Sequence, residues 1–288
     1  MTTVWSGLAL GSLYALVALG YNIVLIASGV FNFAYAQLLM LGVYFTYTAE
    51  VVLKSPLVGV VVFSAALVAV VAVLEERLAI RPIADRLGSH GTLITTVGVA
   101  ALINGVVVLG WGTQPLTVPL AIDNKPLTIF GGTVEASDLL LILLVPLAAI
   151  GIHFWNTRTL SGLASLAPAE DREAAMVCGI NVRRVAIISF AISGVIAGAA
   201  GLLIGPQTYA DPNLAQNLAL LGFVAVAIGG SGHQLGGVVG GFVTGLAYSF
   251  AAQYLNATLA DIFVFLGFLL VLLTRPHGIL GRVAERHV

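Results

Sequence analysis

Charge is what this chain has least of. Only 9% of its 288 residues are Asp, Glu, Lys or Arg, against about a quarter in soluble domains. No charged side chain occurs between Met1 and Ala49, and none of these four residue types occurs between Pro212 and Ala260. Such runs exceed the roughly 20 apolar residues that carry a helix across a bilayer. The chain therefore reads as an all-α polytopic membrane protein. Cysteine is nearly absent as well. Cys178 stands alone, which excludes an intramolecular disulfide and a cysteine metal cluster. A net charge of −1 offers no basic footprint for nucleic acid. The first apolar run, Val4 to Ala27, has no basic flank and is too long for the core of a secretory signal.

Catalytic motifs are missing too. "IGGSGHQLGG", Ile228 to Gly237, is glycine-rich, but a phosphate loop needs GxxxxGK[ST] and no lysine stands there. No Ser-His-Asp grouping, HExxH or GxSxG occurs, and no two of His90, His153 and His233 have metal-ligand spacing on one helix. The expectation is a protein that is not an enzyme and binds neither a metal nor a cofactor itself.

The little charge present is unevenly placed. Arginines fall at Arg77, Arg81 and Arg86, at Arg158, Arg172, Arg183 and Arg184, and at Arg275, Arg282 and Arg286. Arginine-bearing loops stay in the cytoplasm, which predicts a cytoplasmic central segment and C-terminus. Spans are expected near 4–27, 31–49, 56–74, 92–111, 138–154, 185–205, 217–229, 236–255 and 258–274, within one domain over 1–288. Trp111 to Ser137 is then external. Nine crossings put the N-terminus outside. If one early segment only dips into the membrane, eight crossings put it inside.

Two segments interrupt the apolar pattern. "GVFNFAYAQ" carries Asn32, Tyr35 and Gln37, and the glycine-rich stretch carries Gly230, Ser231 and Gly232. Interrupted segments in corresponding places of two halves can line a transport route at mid-membrane, or each can be a short surface loop. Glycines also recur at four-residue spacing, Gly194 with Gly198, and Gly237 with Gly241 and Gly245. That spacing marks a face where another helix comes close, from this chain or from a second membrane subunit.

One stretch differs from all the rest. "APAEDREAAMVCGINVRR", Ala167 to Arg184, concentrates Glu170, Asp171, Arg172, Glu173, Arg183 and Arg184. Pro168 suits a first helical turn, the acids suit the positive end of a helix dipole, and Gly179 suits its end. The pattern predicts one helix of about 16 Å by the 1.5 Å rise per residue, either with Ala174 and Ala175 as a low surface for docking or as a solvated cytoplasmic loop helix.

The chain resembles the membrane permease subunits of branched-chain amino-acid ABC importers, the LivH/LivM type. The resemblance rests on "GSLYALVALGYNIV", "GVFNFAYAQLLMLGVY", "ERLAIRP", "EDREAAMVCGINVRRV", "AISGVIAGAAGLLIGP", "AIGGSGHQLGGVVGG" and "DIFVFLGFLLVLLTRPHGILG". It implies two pseudo-equivalent halves and a cytoplasmic coupling segment at about 160–184, with Glu170, Asp171, Arg172, Glu173, Ala174, Ala175 and Gly179 toward an ATPase. It further implies a second permease subunit, homologous or identical, two ATP-binding subunits that use the ATP, and an extracytoplasmic solute-binding protein. The setting would be the inner membrane of a bacterial or archaeal cell. The solute would be a branched-chain amino acid or a related small solute such as another amino acid, an amide or urea. Two departures stand out. Tyr35, Ala36 and Gln37 replace the family's usual HGE, and Leu163 and Leu166 stand where arginines are common. The residues alone leave open a stand-alone secondary transporter, which would need buried ionisable groups, or a channel.

Overall fold

The apolar runs are helices. The computed structural model describes residues 1–119, 126–275 and 278–281, without the side chains of 84–90 and of Arg172. Helices α1 (Thr2–Ser28), α2 (Tyr35–Tyr47), α3 (Leu57–Leu74) and α4 (Arg81–Trp111) precede a two-stranded antiparallel hairpin, β1 (Leu127–Ile129) and β2 (Gly132–Val134). Then come α5 (Ala136–Arg158), α6 (Leu160–Glu170), α7 (Arg172–Val177), α8 (Val182–Thr208), α9 (Leu214–Gly229), α10 (Gln234–Tyr254) and α11 (Ala257–Thr274). π-Helical segments at Thr48–Val52 and Glu75–Ile80 extend α2 and α3. Among the described residues, seven helices are long and apolar enough to cross a membrane, and α9 is a shorter apolar helix.

Polar residues in the connections set the helix starts. Asn181, His233 and Asn256 each accept a backbone N–H three residues on, opening α8, α10 and α11. Such caps satisfy donors that the first turn leaves unpaired.

The chain divides into two compact units. The first unit comprises Met1–Asn22, Lys125–His153 and Leu220–Val288. Here α10 lies along α1, backbone to backbone. A Cβ on Gly237 would meet Ala18 and Asn22, one on Gly241 would meet Ala15, and one on Gly245 would meet Gly11 and Gly7. At one end of this unit the hairpin covers the N-terminus, with Trp5 Nε1 donating to the Ile129 carbonyl at 3.2 Å. Ser249 Oγ donates to the Thr3 carbonyl nearby, at 2.9 Å.

The second unit comprises Ile23–Asn124 and Phe154–Ala219. Its centre is α8, packed between α2 and α3. A Cβ on Gly194 would meet Val68, Ala69 and Ala72, one on Gly198 would meet Ser64 and Ala65, and one on Gly201 would meet Gly42. Ser64 Oγ donates to the Gly198 carbonyl at 2.9 Å, sealing the closest approach. Both glycine faces are therefore filled by helices of the same chain. The alternative expectation, a glycine face left for a second membrane subunit, is corrected at these positions.

Candidate coupling and transport sites

The central charged segment is two helices, not one. Thr159 starts α6 early, accepting the Gly162 N–H at 3.0 Å. Glycine at 162 lets α6 fold back onto Trp155 and Asn156 at the end of α5, and Ser165 Oγ reaches Asn156 Oδ1 at 3.4 Å. Pro168 lies buried in the last turn of α6 rather than in a first turn. There it forgoes the N–H bond to the carbonyl four residues back, and at Asp171 the backbone is extended (φ −151°, ψ 112°). Asp171 Oδ1 then caps α7, accepting the N–H groups of Glu173 and Ala174, both at 2.9 Å.

The far end of α7 is closed just as tightly. Gly179 has φ +83°, its N–H reaches the Met176 carbonyl, and the Ile180 N–H reaches that of Ala175, both at 3.0 Å. This paired closure satisfies carbonyls the helix would leave free, and it needs a residue without Cβ at the left-handed position. Two capped ends make α7 a stiff projection. Its surface differs from the expected one, because Ala175 is 4% exposed and turned inward. Glu170, Asp171, Glu173 and Ala174 are exposed, and so are Met176 at 53% and Val177 at 88%. Leu163 is 49% exposed beside them in sequence, on α6, and Leu166 is partly buried.

The two interruptions are turns at helix ends. At 27 residues α1 is about 40 Å long, more than the ~30 Å hydrocarbon thickness. The corner at 29–34 follows directly on the end of α1. Asn32 Oδ1 accepts the Ala34 N–H at 2.9 Å there, and Tyr35 and Gln37 open α2, buried.

The turn 230–233 between α9 and α10 is held from two sides. Asn22 Oδ1 accepts the Gly232 N–H at 2.9 Å, and Asn22 Nδ2 donates to the His233 carbonyl at 3.1 Å. On the other side the residues after α11 run across it, with Ile279 N–H to the Ile228 carbonyl at 2.8 Å and Leu280 N–H to that of Gly229 at 3.0 Å. Gly230 (φ +112°) meets the Gly281 backbone so closely that no side chain fits between them. Ser231 and Gly232 are exposed. His153 and His233 approach here, ring centroids 6.3 Å apart, a meeting that spacing along the chain could not show. Among the described residues no three His, Cys, Asp or Glu come together as a metal site. Arg282, Arg286 and the side chains of His90 and Arg172 lie outside what is described.

Sequence reasoning passed over Asn22, Glu75 and Glu76. Glu76 is 4% exposed and is clasped by Arg81, whose Nη2 lies 3.0 Å from Oε1 and 2.9 Å from Oε2. The signal was available, since acids beside arginines at the end of an apolar run imply pairing. For Asn22, the signal was an amide in a run without charge, since a buried polar group must find a partner.

The sequence model of the family described as "Branched-chain amino acid transport system / permease component" matches residues 3–273. The high-affinity branched-chain amino-acid transport system permease protein LivH of Escherichia coli K12 is 29% identical, covering 96% of this chain and 94% of its own. BraD of Pseudomonas aeruginosa, of the same description, is also 29% identical with the same coverage. The xylose transport system permease protein XylH of Escherichia coli K12 is 35% identical over 35% of this chain and 28% of its own.

Proposed function

The chain belongs to the permease-component family of branched-chain amino-acid transport systems, and from that premise we propose that it is the membrane-spanning subunit of an ABC importer. It moves a branched-chain amino acid, or a related small solute such as another amino acid, an amide or urea, by alternating access. Two ATP-binding subunits bind and hydrolyse the ATP, a second permease completes the pathway, and an extracytoplasmic solute-binding protein delivers the solute. The setting is the inner membrane of a bacterial or archaeal cell.

The observation that carries this reading is α7. It is a short helix fixed at both ends, acidic at its start, with Met176 and Val177 exposed at its tip. A rigid projection of mixed apolar and acidic character suits a cleft on another protein, where an apolar anchor supplies affinity and charge supplies orientation. The chain has no phosphate-binding loop of its own.

Orientation follows from the arginines. With the segment at 160–184 and the C-terminus in the cytoplasm, the turn 230–233 and the residues across it are cytoplasmic. The hairpin and Met1, at the other end of the first unit, are then external, which corresponds to nine crossings. The test is co-purification. A tagged chain expressed with its neighbouring ATP-binding subunits retains them, and Val177→Asp loses them while still inserting in the membrane. Retention of the subunits by both Val177→Asp and Met176→Asp would remove α7 from the interface.

A further inference from the structure

In the second unit, α4 begins at Arg81 and α8 leaves the central segment at Val182, so their far ends, Trp111 and Thr208, are external. One length of chain ties these ends to that of α2. Trp111 Nε1 donates to Thr48 Oγ1 at 3.0 Å, and Thr48 Oγ1 donates in turn to the Tyr44 carbonyl at 2.9 Å. The indole lies against two rings of α2, with centroids 5.3 Å from Tyr44 and 5.9 Å from Phe45. Further along, Leu116 and Ala210 exchange backbone bonds of 3.0 and 2.9 Å, and Val118 packs against Gly205.

Polar atoms without partners collect at this end. Tyr44 is fully buried, yet its hydroxyl has no hydrogen bond among the described residues. The same holds for the buried Oε2 of Glu50, in the π-helical extension of α2, and the buried Nε2 of Gln207, in the last turn of α8. Such groups are costly and rare in native structures. A hydroxyl and a carboxylate accept N–H groups, and an amide N–H donates to a carboxylate. That set complements an α-amino acid, whose ammonium and carboxylate groups call for both. The faces of Tyr44 and Trp111 favour a cation as well.

Trp111 can move while the segment beyond it stays anchored. It stands between Gly110 and Gly112, and a Cβ on either would meet nothing within 4 Å. Gly112 ends α4 at φ +91° and ψ −173°, a conformation essentially confined to glycine.

We infer that this end of the second unit is an entry site for an α-amino acid, with Trp111 as its lid. When the indole swings off Tyr44, the Tyr44 hydroxyl and the Glu50 carboxylate take the ammonium group, and the Gln207 amide takes the carboxylate. This rests on the proposed role as an importer permease, and it narrows the solutes to those with an ammonium group, leaving out urea and simple amides.

Iodide quenching of Trp111 tests it. The complex is reconstituted in nanodiscs without binding protein, and the Trp111 signal is the difference from the same complex carrying Trp111→Phe. Millimolar leucine should raise the quenching about twofold or more, as for an equilibrium biased by ligand. Leucinamide, which keeps the ammonium group, should do the same. Urea and 4-methylpentanoate, which is leucine without its amino group, should leave quenching unchanged. Tyr44→Phe keeps the ring contact, and Glu50→Gln keeps the size of the side chain. Each should need about tenfold more leucine for the same response, the order expected for one lost bond to a charged group. Quenching that leucine does not change overturns the lid, and an equal response to 4-methylpentanoate overturns the ammonium assignment. An unaltered leucine response in both variants would mean that these groups hold only ordered water, and overturns the site. The importer reading fails separately. A complex whose ATP hydrolysis is not stimulated by solute-loaded binding protein counts against that reading, while the quenching response decides the entry site in either case.

Discussion

Asn22 and His233, 211 positions apart, are joined by a hydrogen bond from the Asn22 amide to the His233 carbonyl. The same side chain accepts the Gly232 N–H, so a single buried amide holds the turn between α9 and α10. Asn22→Leu leaves the Gly232 N–H unpaired, at about 1–3 kcal/mol, and takes one of two donors from the His233 carbonyl, which keeps the Gly237 N–H at 3.0 Å. The expected outcome is a clear fall in the melting temperature of the purified protein. Asn22→Asp should fall as well, because a carboxylate cannot donate to the His233 carbonyl.

Glycine at 241 should be far less replaceable than glycine at 267. A Cβ at Gly241 would stand 2.5 Å from Ala15 backbone atoms, whereas one at Gly267 on α11 meets nothing within 4 Å. Gly241→Leu should therefore abolish or sharply reduce folded yield, beyond the usual overpacking cost of about 1–3 kcal/mol. Gly267→Leu should leave yield unchanged. Size-exclusion profiles of the two detergent-solubilised variants make the comparison.

Glu76 and Arg81 should be worth more as a broken pair than as a pair. Arg81→Met strands the buried Glu76 carboxylate, and removing one partner of such a pair costs about 3–5 kcal/mol. Arg81 keeps some solvent exposure, at 29%, so the lower end is expected. Glu76→Gln combined with Arg81→Met should recover much of the loss. Thermal melts of the single and double variants separate the pair from its parts.

Much of the membrane architecture was legible because a bilayer imposes one demand, an uncharged apolar run long enough to span it. The run read as 56–74 is a helix over Leu57–Leu74, and that read as 258–274 is one over Ala257–Thr274. Interruptions and ends were harder to read. Pro168 suggested a helix start, but Thr159 and Gly162 had already begun a helix that Asp171 interrupts to start another. Periodicity showed that Gly241 admits a backbone without showing whose, since spacing is silent about partners. Ala175 looked available for docking because alanine is small, while its burial depends on the direction α7 leaves Asp171. The approach of His153 to His233 joins residues from separate segments, which no local pattern records.

Cys178 offers a topology test that needs no substitution. It is exposed, next to the tip of α7. An impermeant maleimide should leave it unlabelled in intact cells and label it after permeabilisation. In a Cys178→Ser background, Phe130→Cys in the hairpin and Thr2→Cys at the N-terminus should both react from outside. Labelling of Cys178 in intact cells would reverse the orientation.

The central claim, that ATP hydrolysed elsewhere drives this chain, is tested most directly by uptake into proteoliposomes. The chain is reconstituted with its partner permease, ATP-binding subunits and binding protein, and radiolabelled leucine is offered outside with ATP inside. The account predicts accumulation that requires internal ATP and the binding protein, and that Val177→Asp abolishes. Accumulation driven by an imposed ion gradient without ATP, by this chain alone, would contradict it.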